Sequence, residues 1–298
     1  MESILPLITS LLPWVLGFFA FIIIVKAIVL VGGKEIAVME RKYFGKKLPQ
    51  GRVIAQANEI GIQARTLGPG MHFLIPFLYK ATKYPFTSIS ENEVGIIESI
   101  DGDPIPPGKI FAKVVDGHNS FQDGEQFLAN GGQKGPQIQI LPPGVYRINP
   151  VLFTLRKEEL TFVDKGKIGL VTSMDGGPIP AGRLLARKVS GHSAFENGQA
   201  FLDNGGQKGP QLEVLLPGTY RINKGLFHLE LRDASIIPAS KVGLITALDG
   251  APLPDAEFVA KPVTGHDDFQ NASMFLETGD SAVRSLMCCV RERTTSIR

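Results

Sequence analysis

The stretch Leu141-Pro142-Pro143-Gly144-Val145-Tyr146-Arg147-Ile148-Asn149 returns 74 residues later as Leu215-Leu216-Pro217-Gly218-Thr219-Tyr220-Arg221-Ile222-Asn223. Only Pro142 against Leu216 and Val145 against Thr219 differ. One more step back brings Gly70 level with Gly144, inside Gly68-Pro69-Gly70-Met71-His72-Phe73-Leu74-Ile75-Pro76. Asp101-Gly102, Asp175-Gly176 and Asp249-Gly250 keep the same step, as do Gly117-His118, Gly191-His192 and Gly265-His266. Self-similarity at a fixed period marks a tandem array whose units bury their faces against one another. The period predicts repeats over 68–141, 142–215 and, incomplete, 216–278, after an amino-terminal β segment at 34–67.

Within a unit, Pro-Gly predicts a turn in which glycine supplies a positive φ, followed by an alternating strand such as Val145–Ile148. Phe153–Leu155 and Ile168–Thr172 read as further strands, Asp175-Gly176 as a tight turn, and Leu184–Val189 as another extended segment. Ser193 and Glu196 have capping-box spacing, which predicts a helix over Ala194–Leu202. In the first β segment, Ile36–Glu40, Arg52–Ala55 and Ile60–Arg65 read as short strands. The expected architecture is mainly β, with one short helix per 74-residue unit.

The amino terminus differs in kind. Ser3 to Val25 is a run of 23 uncharged residues, long enough as a helix to cross a hydrocarbon core of roughly 30 Å. Residues 1–33 are therefore expected to form a transmembrane anchor. Lys26, Lys34, Arg41, Lys42, Lys46 and Lys47 follow the run and only Glu2 precedes it, which places the repeats in the cytoplasm and the amino terminus outside.

The 298 residues carry a net charge of +2 with acids and bases interspersed, so no basic, aromatic-studded surface for nucleic acid is implied. Cys288 and Cys289 are adjacent and lie in a stretch, 279–298, that loses the repeat pattern. Codons compatible with that stretch, read one frame away from Thr278, spell the missing repeat through a Pro-Gly-Thr-Tyr motif. Met287-Cys288-Cys289 leaves no codon freedom there and must read Val then Leu, matching Val214-Leu215. The tail is expected to be a frameshift product.

Chemistry-bearing residues recur once per unit. Histidines 74 residues apart in a linear array cannot converge on one metal ion, so His118, His192 and His266 are expected to serve the local turn and helix start. Asp101, Asp175 and Asp249 each precede glycine and read as turn residues. The Asn130-to-Pro136 stretch lacks the spaced glycine and the Lys-Ser/Thr pair of a phosphate loop, and Pro136 removes a donor, so it reads as a turn after a helix. No catalytic constellation, cofactor site or metal site is predicted, and no enzyme activity. A membrane-tethered hydrolase, the rival of another class, would need acid, base or metal residues confined to one repeat.

Gly68, Pro69, Gly70, His72, Phe73 and Pro76, with the Pro-Gly-x-Tyr-Arg-Ile-Asn-Pro pattern of Pro143, Gly144 and Tyr146 and its copy at Pro217, Gly218 and Tyr220, form a motif set. It resembles the entry to the SPFH or band 7 domain of stomatins, prohibitins and flotillins, and is similar to the bacterial flotillin-like branch. The resemblance covers about Lys34 to Thr278; the family's long carboxy-terminal coiled coil has no counterpart here. It implies a membrane-anchored, homo-oligomeric scaffold that organises membrane lipid patches and can hold a membrane protease or another membrane protein, or regulate that protease.

Overall fold

The structure is a computed structural model that describes residues 4–238, 240–250, 264–278 and 287–289. The chain divides into two compact units, Met1–Pro106 with Ala112–Gln137 and Leu141–Glu158, and Pro107–Phe111 with Ile138–Ile140 and Glu159–Arg298.

The first unit begins with helix α1 (Ile4–Ala27), which contains Pro13 and ends beside Lys26. Among the described residues no helix is long and apolar enough to cross a membrane. The expected transmembrane anchor is thus corrected to an apolar helix, while the chain after it is mainly β. From Leu11 to Val25 the large apolar side chains of α1 are exposed apart from the half-buried Ile22, Trp14 at 79% and Phe21 at 64%.

Strands β1 (Ile28–Val31), β2 (Glu35–Arg41), β3 (Gly61–Leu67), β4 (Gly70–Phe73) and β5 (Tyr79–Pro85) follow. They make an antiparallel β1–β4 ribbon and a sheet of order β3-β2-β5. Then come β6 (Thr87–Ile89), β7 (Glu93–Ser99), helix α2 (Gly124–Ala129), β8 (Gly135–Leu141), β9 (Gly144–Tyr146) and β10 (Phe153–Glu159). They repeat the plan as a β6–β9 ribbon and a β10-β7-β8 sheet. The second unit holds β11 (Thr161–Val163), β12 (Lys167–Ser173), α3 (Gly198–Asp203), β13 (Gly209–Leu215), β14 (Gly218–Tyr220) and β15 (Phe227–Asp233). These form a β11–β14 ribbon and a β13-β12-β15 sheet. A further copy opens with β16 (Gly243–Ile245) and α4 (Ala272–Thr278). β17 (Met287–Cys289) pairs antiparallel with β16.

Two consequences of this order were hidden in the sequence. The segment β1–β5 is itself a copy of the unit: β2 carries a register shift between Val38 and Glu40 against β3, as β12 does between Leu170 and Thr172 against β13. This first copy has no helix between its second and third strands. Sheets are also phased differently from the motif, because each Pro-Gly ribbon strand lies inside a copy.

Several local expectations change. Arg52–Ala55 and Leu184–Val189 form no strands, only the isolated bridges Ala55↔Gln63 and Ala186↔Gln211. Backbone N–H groups in both segments are taken by aspartate side chains, described below, and are lost to any ladder. Helix α3 starts at Gly198, later than the capping-box reading, with Asn197 as its N-cap accepting from the Ala200 N–H at 3.0 Å. Ser193, Ala194 and Phe195 have φ of 48°, 52° and 67° and form a left-handed turn that a right-handed helix cannot include. The expectation of a frameshifted tail falls outside the described residues, except for Met287–Cys289. That strand sets Cys289 opposite Gly243 and Cys288 opposite Leu244, the places Leu215 and Val214 take opposite Gly169 and Leu170.

The core of the first unit gathers Ile54, Ala64, Ile97, Phe121, Phe127, Leu141, Leu152 and Phe153, all nearly inaccessible. Phe121, Phe127 and Phe153 meet edge to face or tilted at 5.0–5.7 Å. In the second unit Phe195, Phe201 and Phe227 reproduce the cluster at 5.1–5.8 Å. Such ring geometry adds about 0.5–1.5 kcal/mol per pair beyond area burial.

Candidate functional site

The repeated motif builds a fixed set of staples. In β9 the Tyr146 hydroxyl donates to the Pro142 carbonyl at 2.8 Å, and Tyr220 does the same to Leu216 at 2.7 Å. The ring folds back over the strand start, so a Cβ on Gly144 would lie 3.3 Å from it. This replaces the predicted reason for the glycine: Gly144 has a φ of 159°, close to ordinary extended backbone, and what demands glycine is the tyrosine ring. Pro143 and Pro217 lead into these strands. In the first copy Gly70 has a φ of 135°, and His72 replaces the tyrosine tether with a ring nitrogen 2.8 Å from the Gly68 carbonyl. Phe73 is 66% exposed, Pro76 is half-buried and Pro69 is exposed. The two glycine–tyrosine pairs and the Gly68–His72 pair are therefore local, each within its own ribbon, and the site residues do not converge on one place.

The asparagine that closes the motif reaches further. Asn149 Nδ2 donates to the carbonyls of Gln63 and Ala64, both at 3.2 Å, on β3 of the preceding copy. Asn223 Nδ2 donates likewise to Ile138 at 3.0 Å. Both side chains are almost wholly buried, so losing the bond would leave a buried amide unpaired.

The Asp-Gly pair staples in the same direction. Asp101, 1% exposed, accepts the N–H groups of Val53 at 2.7 Å and Ile54 at 2.6 Å. Asp175 accepts those of Ile110 and Phe111 at 2.8 and 3.0 Å, and Asp249 that of Leu185 at 2.9 Å. Arg52 lies 3.6 Å from Asp101 and Arg183 3.1 Å from Asp249. Burial pushes the Asp249 carboxyl upward, but the Leu185 and Gly250 N–H bonds, the Arg183 guanidinium and the Leu184 N–H together hold it below the usual range.

His118, His192 and His266 each accept, through Nδ1, the N–H three residues on: Phe121, Phe195 and Phe269, at 2.7–2.8 Å. The bond closes a turn of three consecutive left-handed residues, Asn119 to Phe121 in the first case. The imidazole then packs against two phenylalanines, 4.4 and 5.7 Å away for His118. His192 additionally places Nε2 3.6 Å from Glu213, and hydrogen bonding to His192 is the main cause that lowers the Glu213 pKa. Among the described residues no group of three or more His, Cys, Asp or Glu side chains is placed to hold a metal ion.

A cavity of about 290 Å³ in the first unit is lined by Arg65, Gly68, Gln122, Asp123, Glu125 and Arg147, among others. Gln122 is tied into its wall, since its Oε1 accepts the Arg147 N–H at 3.1 Å. Sequence reading missed the inter-copy roles of Asn149, Asn223 and the three aspartates. Their strict recurrence was the available signal, although recurrence alone cannot separate a turn residue from a staple.

No family model, curated protein or solved structure matches this chain. The SPFH-like reading consequently stands on the motif residues themselves.

Proposed function

We propose that this chain is a non-enzymatic scaffold, similar in role to SPFH or band 7 proteins, that associates with membrane lipid and with copies of itself. The carrying observation is the use made of its chemistry-bearing side chains. Asp101, Asp175 and Asp249, and Asn149 and Asn223, spend their oxygens and amides on backbone groups of a preceding copy. That arrangement supports a tandem array, in which stability is a sum over copies and the contacts between neighbouring copies.

Lipid association is supported by the exposed apolar side chains of α1 and by the ribbon it runs into. On that ribbon Leu30, Met71 and Phe73 are 61%, 58% and 66% exposed, with Leu30 directly opposite Met71. In the later copies the place of Phe73 is taken by Arg147 and Arg221. Flotation with liposomes tests the reading. The full chain should rise with the vesicles, and Phe73→Arg combined with Leu30→Ser should reduce the floating fraction. A chain that stays at the bottom of the gradient would refute lipid association.

A further inference from the structure

The end of a copy that carries its staples is built differently in the first copy, β1–β5. Two recurring backbone bonds fix the alignment. Lys42, Ile100 and Met174 donate to the carbonyls of Leu78, Leu152 and Leu226 at 2.8–2.9 Å, and Tyr79, Phe153 and Phe227 donate to those of Ile75, Asn149 and Asn223. Tyr43 and Phe44 therefore stand where Asp101-Gly102 and Asp175-Gly176 stand, and Ile75 takes the place of Asn149 and Asn223. The carboxylate and the amide that hold a preceding copy have both become apolar. Exposure inverts with them: Asp101, Asp175, Asn149 and Asn223 are 1–3% exposed, whereas Tyr43, Phe44 and Ile75 are 57%, 88% and 63% exposed, with Phe77 at 74%.

What precedes this end in the chain is α1, whose Ala27 carbonyl accepts the Leu74 N–H at 2.8 Å, one residue before Ile75. The aromatic tip is held in place by Arg41. Its Nε donates to the Tyr43 carbonyl at 3.3 Å, Nη2 to the Phe44 carbonyl and Nη1 to Asn58 Oδ1 at 3.0 Å, with the guanidinium 5.8 Å from the centre of the Tyr79 ring. Phe44 and Phe77 have φ of 54° and 66°, a left-handed backbone that bulky residues rarely adopt. Charge around the tip has one sign. Residues 41–47 include Arg41, Lys42, Lys46 and Lys47 and no acid, and all three lysines are exposed. Glu59, bridged beside Lys46, is turned onto the Gln56 N–H at 2.8 Å.

We propose that this end of the first copy is a docking surface for anionic phospholipid. Phe44, Ile75 and Phe77 enter the boundary between headgroups and acyl chains, and Lys42, Lys46 and Lys47 meet the negative headgroups. Apolar side chains flanked by lysine bind that boundary, and each lysine near an anionic surface strengthens attraction about fivefold. A second copy of the chain fits this end poorly, because the carboxylate and amide with which later copies hold a neighbour are missing from it. The proposal rests on the lipid association put forward above, to which it adds a second contact and the charge of the lipid.

The chain has one tryptophan, Trp14 on α1, which reports on the helix. Phe44→Trp in a Trp14→Phe background moves the reporter to the tip. Each full chain is titrated with vesicles of phosphatidylcholine brominated on its acyl chains, with or without a third of phosphatidylserine, and quenching is followed. The tip reporter should be quenched, with an apparent affinity at least about tenfold higher for the phosphatidylserine vesicles. Lys42→Gln, Lys46→Gln and Lys47→Gln together should remove most of that preference. Quenching of Trp14 with an unquenched tip reporter sinks the tip contact alone. Quenching at the tip without quenching of Trp14 supports the tip and sinks the part given to α1, and no quenching of either overturns both. Equal affinity for the two vesicles, or a preference that survives loss of the lysines, overturns the choice of anionic lipid. A tip reporter whose emission shifts with protein concentration in the absence of vesicles assigns this end to a second copy and overturns the proposal.

Discussion

The carboxylate of Asp175 accepts the backbone N–H groups of both Ile110 and Phe111, which precede it by 65 and 64 residues. One buried side chain thereby holds two donors of the preceding copy. Asp175→Ala leaves the buried Phe111 N–H unpaired, at about 1–3 kcal/mol, while the part-buried Ile110 N–H can turn to water. We expect a loss of about 1–3 kcal/mol in urea unfolding, with faster exchange of the Phe111 amide. Asp175→Asn, which keeps one acceptor, should lose less. An unchanged unfolding midpoint in the alanine variant would remove the staple from the account.

Gly144 and Tyr146 form a testable pair. Gly144→Ala sets a methyl against the tyrosine ring at 3.3 Å, which should cost about 1–3 kcal/mol of overpacking. In a Tyr146→Ala background the same substitution should be nearly neutral. A double-mutant cycle with no coupling would show that the glycine is required for some other reason.

The left-handed turn carries strain that glycine relieves. Ser120 sits at φ 53°, where an L-residue costs roughly 1–2 kcal/mol. Ser120→Gly also loosens the unfolded chain by about 0.4–1 kcal/mol. The net expectation is a stabilisation of up to about 1 kcal/mol, read from denaturation midpoints. His118→Ala should destabilise, because the Phe121 N–H is buried and loses its acceptor. A stable His118→Ala variant would contradict the capping role.

Acid should weaken the second unit through Glu213 and Asp249. Both folded-state pKa values lie below their ordinary ones of 4.5 and 3.8, Glu213 through its hydrogen bond to His192 and Asp249 through its backbone and arginine partners against the effect of burial. The unfolded chain therefore binds more protons in this range. The stabilisation is complete above the unfolded values and disappears as pH falls through the folded ones. Glu213 is partly solvated, which keeps its share modest. Melting temperature measured from pH 7 to pH 2 should drop on the acid side, and Glu213→Gln should flatten that limb. Identical profiles for the two chains would refute the assignment.

Much of this molecule is legible one residue at a time. The strands Ile36–Glu40, Ile60–Arg65, Phe153–Leu155 and Ile168–Thr172 fall within β2, β10 and β12 or, for Ile60–Arg65, largely within β3. Each alternates over a short run between turn residues, and period-two patterning is a local property. Arg52–Ala55 has the same local look yet is not a strand, because Asp101 arrives from 48 and 47 residues away to take the N–H groups of Val53 and Ile54. The helix start failed for a similar reason. Ser193 and Glu196 have capping-box spacing, but the His192 bond to Phe195 winds the intervening backbone left-handed.

The amino-acid sequence by itself determined the repeat, its step of 74 residues and its β character, because these follow from identities and periodicities along one chain. Only the tertiary structure decided what the repeated polar residues do. Whether Asp175 is a turn residue or a staple, whether Gly144 serves a backbone angle or a ring, and whether residues 34–67 are a preamble or part of a further copy of the unit all depend on which groups meet across dozens of residues. A buried donor takes the nearest acceptor in space, and no spacing in sequence encodes that distance.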